Sequence, residues 1–274
     1  MEGIYFFILY FFVYGFLGWC TEVAFAAWKE HRFVNRGFLN GPICPIYGIG
    51  VGVVAQFLTP YKSNLVLLYI ASVILVTALE WVTGFVLEKV FHNKWWDYSN
   101  MPLNLNGYVC LLFSLVWGVA CVLIVDFVHP LIHAGLSHIP WVLGIILIVL
   151  FGGVTIADLI VTSSGILKLN RRLAKMHTIA AELHSISEKL GENIYKSTIS
   201  AVEKSEEVSE NVSSEFNERV EELKKRYKAA GENTTRIQKR LINAFPKMEN
   251  RKYSEAFNEL RAKLKDLDKT LRKK

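Results

Sequence analysis

Four acidic residues lie within apolar segments of this sequence and are its strongest candidates for chemistry: Glu22, Glu80, Glu88 and Asp158. A charged carboxylate near the centre of a bilayer costs roughly 2.5–3.5 kcal/mol. Such a residue therefore faces protein or water, pairs with a cation, or binds a proton. The four acids together predict one polar cavity that opens to the cytoplasm and accepts a small solute or cation.

The spacing around two of these acids is helical. Thr77, Glu80, Gly84 and Glu88 follow one another at intervals of three, four and four residues, which places them on one helix face. Gly84 leaves room between the two carboxylates, and small residues of this kind allow helices to approach closely. The pattern indicates a helix face that packs against another helix and keeps its acids within protein.

Ion pairing is the alternative explanation for three of the acids. Glu22, Glu88 and Asp158 lie near basic residues that follow the apolar segments: Lys29, Arg32, Arg36, Lys89 and Lys168. Ion pairs at the level of the lipid headgroups would then satisfy these acids without a cavity. Glu80 lies deepest in its segment, so the cavity hypothesis depends most on this residue.

Two stretches of the chain resemble each other and predict an internal repeat. Residues 40–48 and 106–114 both begin with Asn-Gly, with a cysteine four positions after the asparagine and an aromatic residue three positions later. Each stretch follows an apolar segment that contains an acid. Repeats in membrane proteins often frame a binding site at their interface, although Asn-Gly is also a common turn pair.

The two connections around these Asn-Gly pairs carry the remaining candidate site residues: Arg36, Asn40, Trp96, Asp97 and Asn106. Amide side chains both donate and accept hydrogen bonds, so they suit backbone that re-enters a membrane and lines a cavity. Tryptophan beside lysine is equally typical of the headgroup layer. His92 and Asp97 could instead form an acid–base pair in a membrane enzyme.

Five apolar segments must position these residues, each long enough or nearly long enough to cross a bilayer: 4–28, 43–60, 65–91, 108–128 and 139–163. They predict an all-α polytopic bundle over residues 1–164, with two parallel hairpins as a repeat. The second segment is short and contains Pro45 and three glycines, which is typical of spans that line sites. Lys and Arg concentrate in alternate connections, which places the N-terminus outside and the C-terminus in the cytoplasm.

Residues 165–274 have a different composition and predict a cytoplasmic, basic, helical tail. They hold 25 Lys and Arg against 17 Asp and Glu, whereas residues 1–164 hold six against eight. Because the acids are interleaved with the bases, nucleic acid is not favoured as a partner. Two apolar stripes at helical spacing predict a coiled-coil-like packing face. The stripes are Val208, Val212, Phe216, Val220, Leu223 and Tyr227, then Tyr253, Phe257, Leu260, Leu264, Leu267 and Leu271.

No cofactor or metal is indicated by the sequence motifs. The four cysteines stand in apolar surroundings without a Cys-x-x-Cys pair, which predicts buried thiols rather than a zinc site or disulfides. The tail has no Walker A sequence and no catalytic elbow. These features favour a protein that is not itself an enzyme.

One continuous motif carries a resemblance to a known family. Residues 35–48, followed by Trp-Trp-Asp-Tyr-Ser at 95–99 and Asn-Gly at 106–107, resemble the bacterial CmpB-like family of ABC-transporter type IV proteins. The resemblance covers about residues 4–163 and leaves out the tail. It implies an integral protein of the bacterial cell membrane, an ABC transporter permease whose ATPase is a separate chain. The family supplies no catalytic residues to carry over.

A permease-like membrane protein is therefore the function that the sequence favours, surrounded by membrane lipids and with a homodimer as one arrangement. Two other classes stay open. A membrane-embedded enzyme or lipid-handling protein would act on headgroups through Glu80, Glu88 and the His92–Asp97 connection. A membrane scaffold would recruit a partner through its tail.

Overall fold

Helices dominate the computed structural model, which describes residues 2–200, 209–232 and 234–272. The chain is 79% helical and its strands are only two residues long, so the predicted all-α class is confirmed. The helices are α1 (Glu2–Glu30), α2 (Pro45–Leu58), α3 (Leu65–Phe91), α4 (Leu111–Leu123), α5 (His129–Ser137), α6 (Trp141–Ser200), α7 (Ser209–Glu232), α8 (Arg236–Ala244) and α9 (Ser254–Arg272). The strands are β1 (Asn93–Lys94), β2 (Asn104–Leu105), β3 (Val109–Cys110) and β4 (Glu249–Asn250).

Among the described residues, four helical stretches are long and apolar enough to cross a membrane: Gly3–Glu30, Leu65–Phe91, Leu111–Ser137 and Trp141–Lys189. The remaining predicted span, 43–60, forms α2, whose 14 residues extend about 21 Å. This length is below the bilayer core of about 30 Å. A short 3-10 turn, Thr59–Tyr61, follows α2. The count of five spans therefore stays a prediction.

The fourth apolar segment does not end at residue 128, where the sequence analysis placed its boundary. A π-helical turn over Ile124–Val128 joins α4 to α5, so the helix continues to Ser137. Pro130 explains this turn, because its missing N–H leaves the Asp126 carbonyl without its helical donor. The ammonium of Lys62 donates to that carbonyl at 3.3 Å instead. Residues 129–137, which the sequence analysis left between two apolar segments, are accordingly helical, and only residues 138–140 link α5 to α6.

The chain divides into two units whose boundary differs from the predicted one. The first unit contains residues 1–166 together with 237–251, and the second contains 167–236 and 252–274. The composition of residues 165–274 predicts a tail throughout. Residues 237–251, which include β4 and all of α8 except its first residue, instead belong to the same unit as the apolar helices. Helix α6 also continues well beyond its predicted end at residue 163.

Helices α1 and α2 pack as an antiparallel pair through glycines. A Cβ added to Gly52 would lie 3.2 Å from the ring of Phe7, and one added to Gly48 would lie 2.5 Å from the Phe11 carbonyl. In the α3–α4 pair, Gly118 lies in the same way against Val73. Gly118 is 66 positions after Gly52, and Val73 is likewise 66 positions after Phe7.

The same offset of 66 residues relates further residues of the two helix pairs. It links Gly18 to Gly84, Glu22 to Glu88, and the first Asn-Gly pair to the second. The offset includes both the helix contacts and the acids, so it extends well beyond the nine-residue similarity seen in the sequence. This agreement supports a parallel repeat of two helix pairs.

The second unit contains the C-terminal part of α6 with α7 and α9. Side chains of Leu223, Phe257 and Leu260 from the two predicted stripes are buried. The Tyr227 hydroxyl donates to the carboxylate of Glu259, which joins α7 to α9. Val208 lies outside the described residues, as do the side chains of four other stripe members: Val212, Phe216, Leu267 and Leu271.

Candidate functional site

The connection between α1 and α2 runs back along α1 without forming a helix. The backbone N–H of Cys44 donates to the Gly15 carbonyl at 2.9 Å, halfway along α1. The indole of Trp19 donates to the amide oxygen of Asn35 at 2.8 Å. Residues 31–44 therefore follow the C-terminal half of α1, and α2 begins beside its middle. We refer to residues 31–44 as the re-entrant segment.

Asp158 on α6 anchors this segment. Its carboxylate accepts hydrogen bonds from the Asn40 side chain at 2.8 Å and from the backbone N–H groups of Asn40 and Gly41 at 3.2 and 2.7 Å. Thr162, one helical turn further along α6, donates to the same carboxylate at 3.1 Å. All of these donors are uncharged. Asp158 and Asn40 thus have a positioning role in the structure.

Arg240 on α8 binds the re-entrant segment near Asn40. The Nε atom of Arg240 donates to the Asn40 amide oxygen at 3.1 Å. Its two terminal nitrogens donate to the carbonyls of Gly37 and Phe38 at 2.7 and 2.8 Å, and one of them reaches the Asn35 carbonyl at 3.4 Å. Sequence reasoning missed this residue, because nothing in its spacing connects it to a segment 200 positions earlier.

Glu22 lies on the other side of the re-entrant segment. It accepts a hydrogen bond from the Tyr47 hydroxyl at 2.8 Å. The guanidinium of Arg36 stands 3.8 Å from its second oxygen and 5.6 Å from the Phe25 ring centroid. The lack of a side chain at Gly18 allows Tyr47 to lie close to α1, since a Cβ there would lie 2.4 Å from the Tyr47 ring. The contacts of Glu22 agree in part with both predictions. Its pairing with Arg36 fits the ion-pair alternative, and its position against protein fits the cavity hypothesis.

Glu80 has the least satisfied carboxylate of the predicted site. Among the described residues its Oε2 atom is buried and accepts no hydrogen bond. Tyr47 and Tyr98 both interact electrostatically with Glu80 and with Glu22. Burial, together with these carboxylates, raises the pKa of the Tyr98 phenol. Glu22, Tyr47, Glu80 and Tyr98 are named the polar cluster below.

Glu88 occupies the equivalent position to Glu22 but has other partners. The Tyr108 hydroxyl donates to it at 2.9 Å, and Arg251 approaches it at 3.7 Å. A Cβ on Gly84 would lie 2.9 Å from the Tyr108 ring. Arg251 is the last residue of the 237–251 segment, so the cation beside Glu88 is not one of the five that the ion-pairing alternative named.

The second connection is organised around a buried lysine. Lys94 has 2% of its side chain exposed and donates to Asp97 at 2.6 Å and to the Asn106 carbonyl at 3.2 Å. Ser99 donates to Asp97 through its hydroxyl at 2.6 Å. Burial alone would raise the pKa of Asp97, but the hydrogen bonds from Lys94 and Ser99 outweigh it and lower that pKa to about 2.

These contacts give the remaining predicted residues positioning roles. Asp97 is held by Lys94 and Ser99 and makes no acid–base pair with His92 in the described structure. The Trp96 indole donates to the Tyr108 carbonyl at 2.8 Å, which fixes the β2–β3 hairpin. Asn106 adopts a left-handed backbone conformation at the tip of that hairpin, as does the glycine after it.

The two Asn-Gly pairs have different geometries. Asn106 and Gly107 both have positive φ angles, as a tight hairpin between β2 and β3 requires. Asn40 and Gly41 do not have positive φ angles, and Asp158 holds them through their N–H groups. Turn chemistry therefore accounts for the second pair but not for the first.

An open, largely apolar groove of about 790 Å³ lies between α3, α4 and the β2–β3 hairpin. Thr77 and Ser114 are its polar side chains, and none of the four predicted acids lines it. The acids instead divide among three settings. Glu22 and Glu80 belong to the polar cluster, Asp158 to the first Asn-Gly corner, and Glu88 to the second. No three metal-ligating side chains converge within the described residues.

The comparisons with known proteins give one match. The model of the family described as "Putative ABC-transporter type IV" matches residues 9–163, which is more than half of the chain. No curated protein and no solved structure matches the chain. The matched range begins within α1 and contains α2 to α5, the polar cluster and the re-entrant segment. It ends within α6, before residues 237–251 begin.

Proposed function

The chain belongs to the putative ABC-transporter type IV family, and from this premise we propose that it is a permease-like membrane subunit that binds a small cation or cationic solute. The polar cluster is the proposed binding site, with Glu22 and Glu80 as its charged ligands. A separate ATPase chain is the proposed energy source, since the family description is that of an ABC transporter. The proposed setting is the bacterial cell membrane, with the N-terminus outside and the C-terminus in the cytoplasm.

The buried Glu80 oxygen is the observation that carries this proposal. A buried carboxylate oxygen without a donor is costly in any protein and more so between apolar helices. Tyr47 already donates to Glu22, and the described residues offer Glu80 Oε2 no donor. A bound cation or a cationic N–H group would satisfy the Glu80 carboxylate.

The route to the cluster is proposed to pass along the re-entrant segment. Irregular backbone at membrane depth occurs where it lines a cavity or is buried in protein. Arg36 belongs to this segment and stands beside Glu22. The basic residues that follow α1 and α3 favour the cytoplasmic side for this entrance.

The alternative of an enzyme acting on headgroups has weaker support. It requires His92 and Asp97 as an acid–base pair, whereas Asp97 accepts its hydrogen bonds from Lys94 and Ser99. A scaffold role for the tail has no specific contact in its favour. The transporter subunit is therefore the function that the geometry supports best.

Binding of two cationic probes tests the proposal, because binding does not require the separate ATPase chain. The full chain in detergent would be assayed by equilibrium binding of labelled rubidium and labelled methylammonium. The wild type is expected to bind at least one probe, and Glu80→Gln and Glu22→Gln are expected to reduce binding to the level of empty detergent micelles. Glu88→Gln is the matched control and should retain binding, because Tyr108 and Arg251 occupy its carboxylate. Equal binding in all variants, or none in the wild type, would contradict the proposal.

A further inference from the structure

Four oxygen atoms of the re-entrant segment converge on one point. They are the backbone carbonyls of Asn35, Gly37 and Phe38 and the side-chain oxygen of Asn40, which we call the carbonyl cradle. Arg240 fills it with four hydrogen bonds of 2.7 to 3.4 Å. Asp158 adds an electrostatic attraction to the same guanidinium. The arrangement therefore has the donors and acceptors of a cation-binding site.

The cradle is held in shape by contacts that do not involve Arg240. The Asn40 amide group donates to Asp158 and to Thr162 at 2.8 and 2.9 Å, which turns its oxygen toward the arginine. The Asn35 side chain donates to the Asn40 carbonyl at 2.8 Å and accepts from the N–H of Gly37 at 3.0 Å. Because these bonds fix both ends of the cradle, its oxygens stay aligned without their present occupant.

The cradle and its occupant come from different parts of the chain. Residues 35–40 and 158 lie within the range that the family model matches, whereas Arg240 lies well beyond its end at residue 163. The cradle and its arginine are therefore not parts of one local motif, and Arg240 reaches the cradle from about 200 positions further along the chain.

We propose that the carbonyl cradle is a binding site for guanidinium-type cations, and that Arg240 is its tethered occupant. A planar cation with several N–H donors matches three carbonyls and an amide oxygen better than a compact ammonium does. This site is separate from the polar cluster of Glu22 and Glu80, and it does not require the chain to be a transporter. Removal of the arginine side chain leaves the cradle open to an external cation of the same chemistry.

Chemical rescue of an arginine-free variant tests the site. In the full-length detergent-solubilised protein, Arg240→Ala is expected to lower the unfolding temperature by roughly 4 °C or more, since several charge-assisted hydrogen bonds are lost. Methylguanidinium at about 10 mM should restore at least half of this loss, because small cations bind such cages in the millimolar range. Tetramethylammonium at equal ionic strength has no N–H donor and should restore nothing.

Two controls make the result specific. Lys239→Ala removes an exposed cation from the neighbouring position of α8 and should neither lower the unfolding temperature nor respond to methylguanidinium. The wild type should not respond either, because Arg240 already fills its cradle. If Arg240→Ala does not fold, Arg240→Gln gives the same readout, since its amide leaves most of the cradle oxygens free. No rescue by methylguanidinium, or equal stabilisation of wild type and variant, would overturn the proposal.

Discussion

Glu22 and Glu88 stand 66 residues apart and each accepts a hydrogen bond from a tyrosine hydroxyl, at 2.8 Å from Tyr47 and 2.9 Å from Tyr108. Their counter-ions differ in origin. Arg36, beside Glu22, belongs to the re-entrant segment that follows α1, whereas Arg251, beside Glu88, belongs to the segment that returns from the tail. The ion pair of Glu22 therefore lies within the repeat, whereas the ion pair of Glu88 depends on residues 237–251.

Close packing at Gly18 predicts a large difference between two glycine substitutions. Gly18→Ala would place a Cβ 2.4 Å from the Tyr47 ring, so it should destabilise the protein by about 1–3 kcal/mol. Gly50→Ala is the matched control, since no atom lies within 4 Å of its added Cβ. Thermal unfolding in detergent measures both, and equal unfolding temperatures would show that α1 and α2 do not pack as described.

Asp158→Asn should loosen the re-entrant segment. The introduced amide group would place N–H donors opposite those of Asn40 and Gly41, and an unsatisfied buried donor costs about 1–3 kcal/mol. Cys44, which is buried at the end of this segment, should then react faster with a maleimide, as measured by peptide mass spectrometry. Thr162→Ser keeps its hydroxyl donor and serves as the control. If Cys44 reacts equally fast in both variants, Asp158 does not anchor the segment.

The Lys94–Asp97 pair predicts a defined pH dependence. The folded state lowers the pKa of Asp97 to about 2, so its contribution to stability is complete above the ordinary pKa of about 4. That contribution is lost as the pH falls from about 4 toward 2. The unfolding temperatures of wild type and Asp97→Asn should therefore differ most near neutral pH and converge below about pH 4. A gap that does not change with pH would contradict this assignment.

A double substitution distinguishes the loss of the Lys94–Asp97 ion pair from the cost of leaving the Lys94 ammonium buried and unpaired. Asp97→Asn leaves the ammonium of Lys94 buried without its carboxylate, which is strongly destabilising. The double variant Lys94→Met, Asp97→Asn removes the charge and should be more stable than Asp97→Asn alone. Measured by the same unfolding assay, a double variant that is less stable than both single variants would indicate that the lysine has another role.

Phe245 should matter more than its place in the polar tail suggests. Its ring packs edge-on against the buried Trp95 with centroids 4.9 Å apart and contacts a small core that includes Ala26 and Val34. Phe245→Ala should cost about 2–3 kcal/mol, below the range for a fully buried phenylalanine. Phe33→Ala, at a position 70% exposed, should cost much less in the same denaturant titration. A reversed order would place Phe245 outside the core.

Local patterns in the sequence predicted the helices and the family, because both depend on residues that are close together in the chain. The intervals among Thr77, Glu80, Gly84 and Glu88 correctly indicated a helix, and the motif at residues 35–48 correctly indicated the family. Amide residues in the first connection marked backbone that returns along α1, because such backbone needs side-chain donors and acceptors.

Contacts between distant parts of the chain were not predictable in this way. Arg240 and Phe245 belong to a short amphipathic stretch that a solvated tail could equally contain. The antiparallel pairing of Asn93 with Asn250 joins strands of two residues, too short to leave any alternation in the sequence. The helical continuation through Pro130 was missed because the compensating donor, Lys62, is 64 residues from the carbonyl it satisfies.

The division of the first unit into residues 1–166 and 237–251 has a consequence for biosynthesis. At 5–20 residues per second, the ribosome needs roughly 4–14 s to translate the intervening stretch. During this interval the re-entrant segment exists without Arg240, and Glu88 exists without Arg251. Maturation is thus a two-step process, in which the nascent chain inserts first and is completed only when its own later sequence returns.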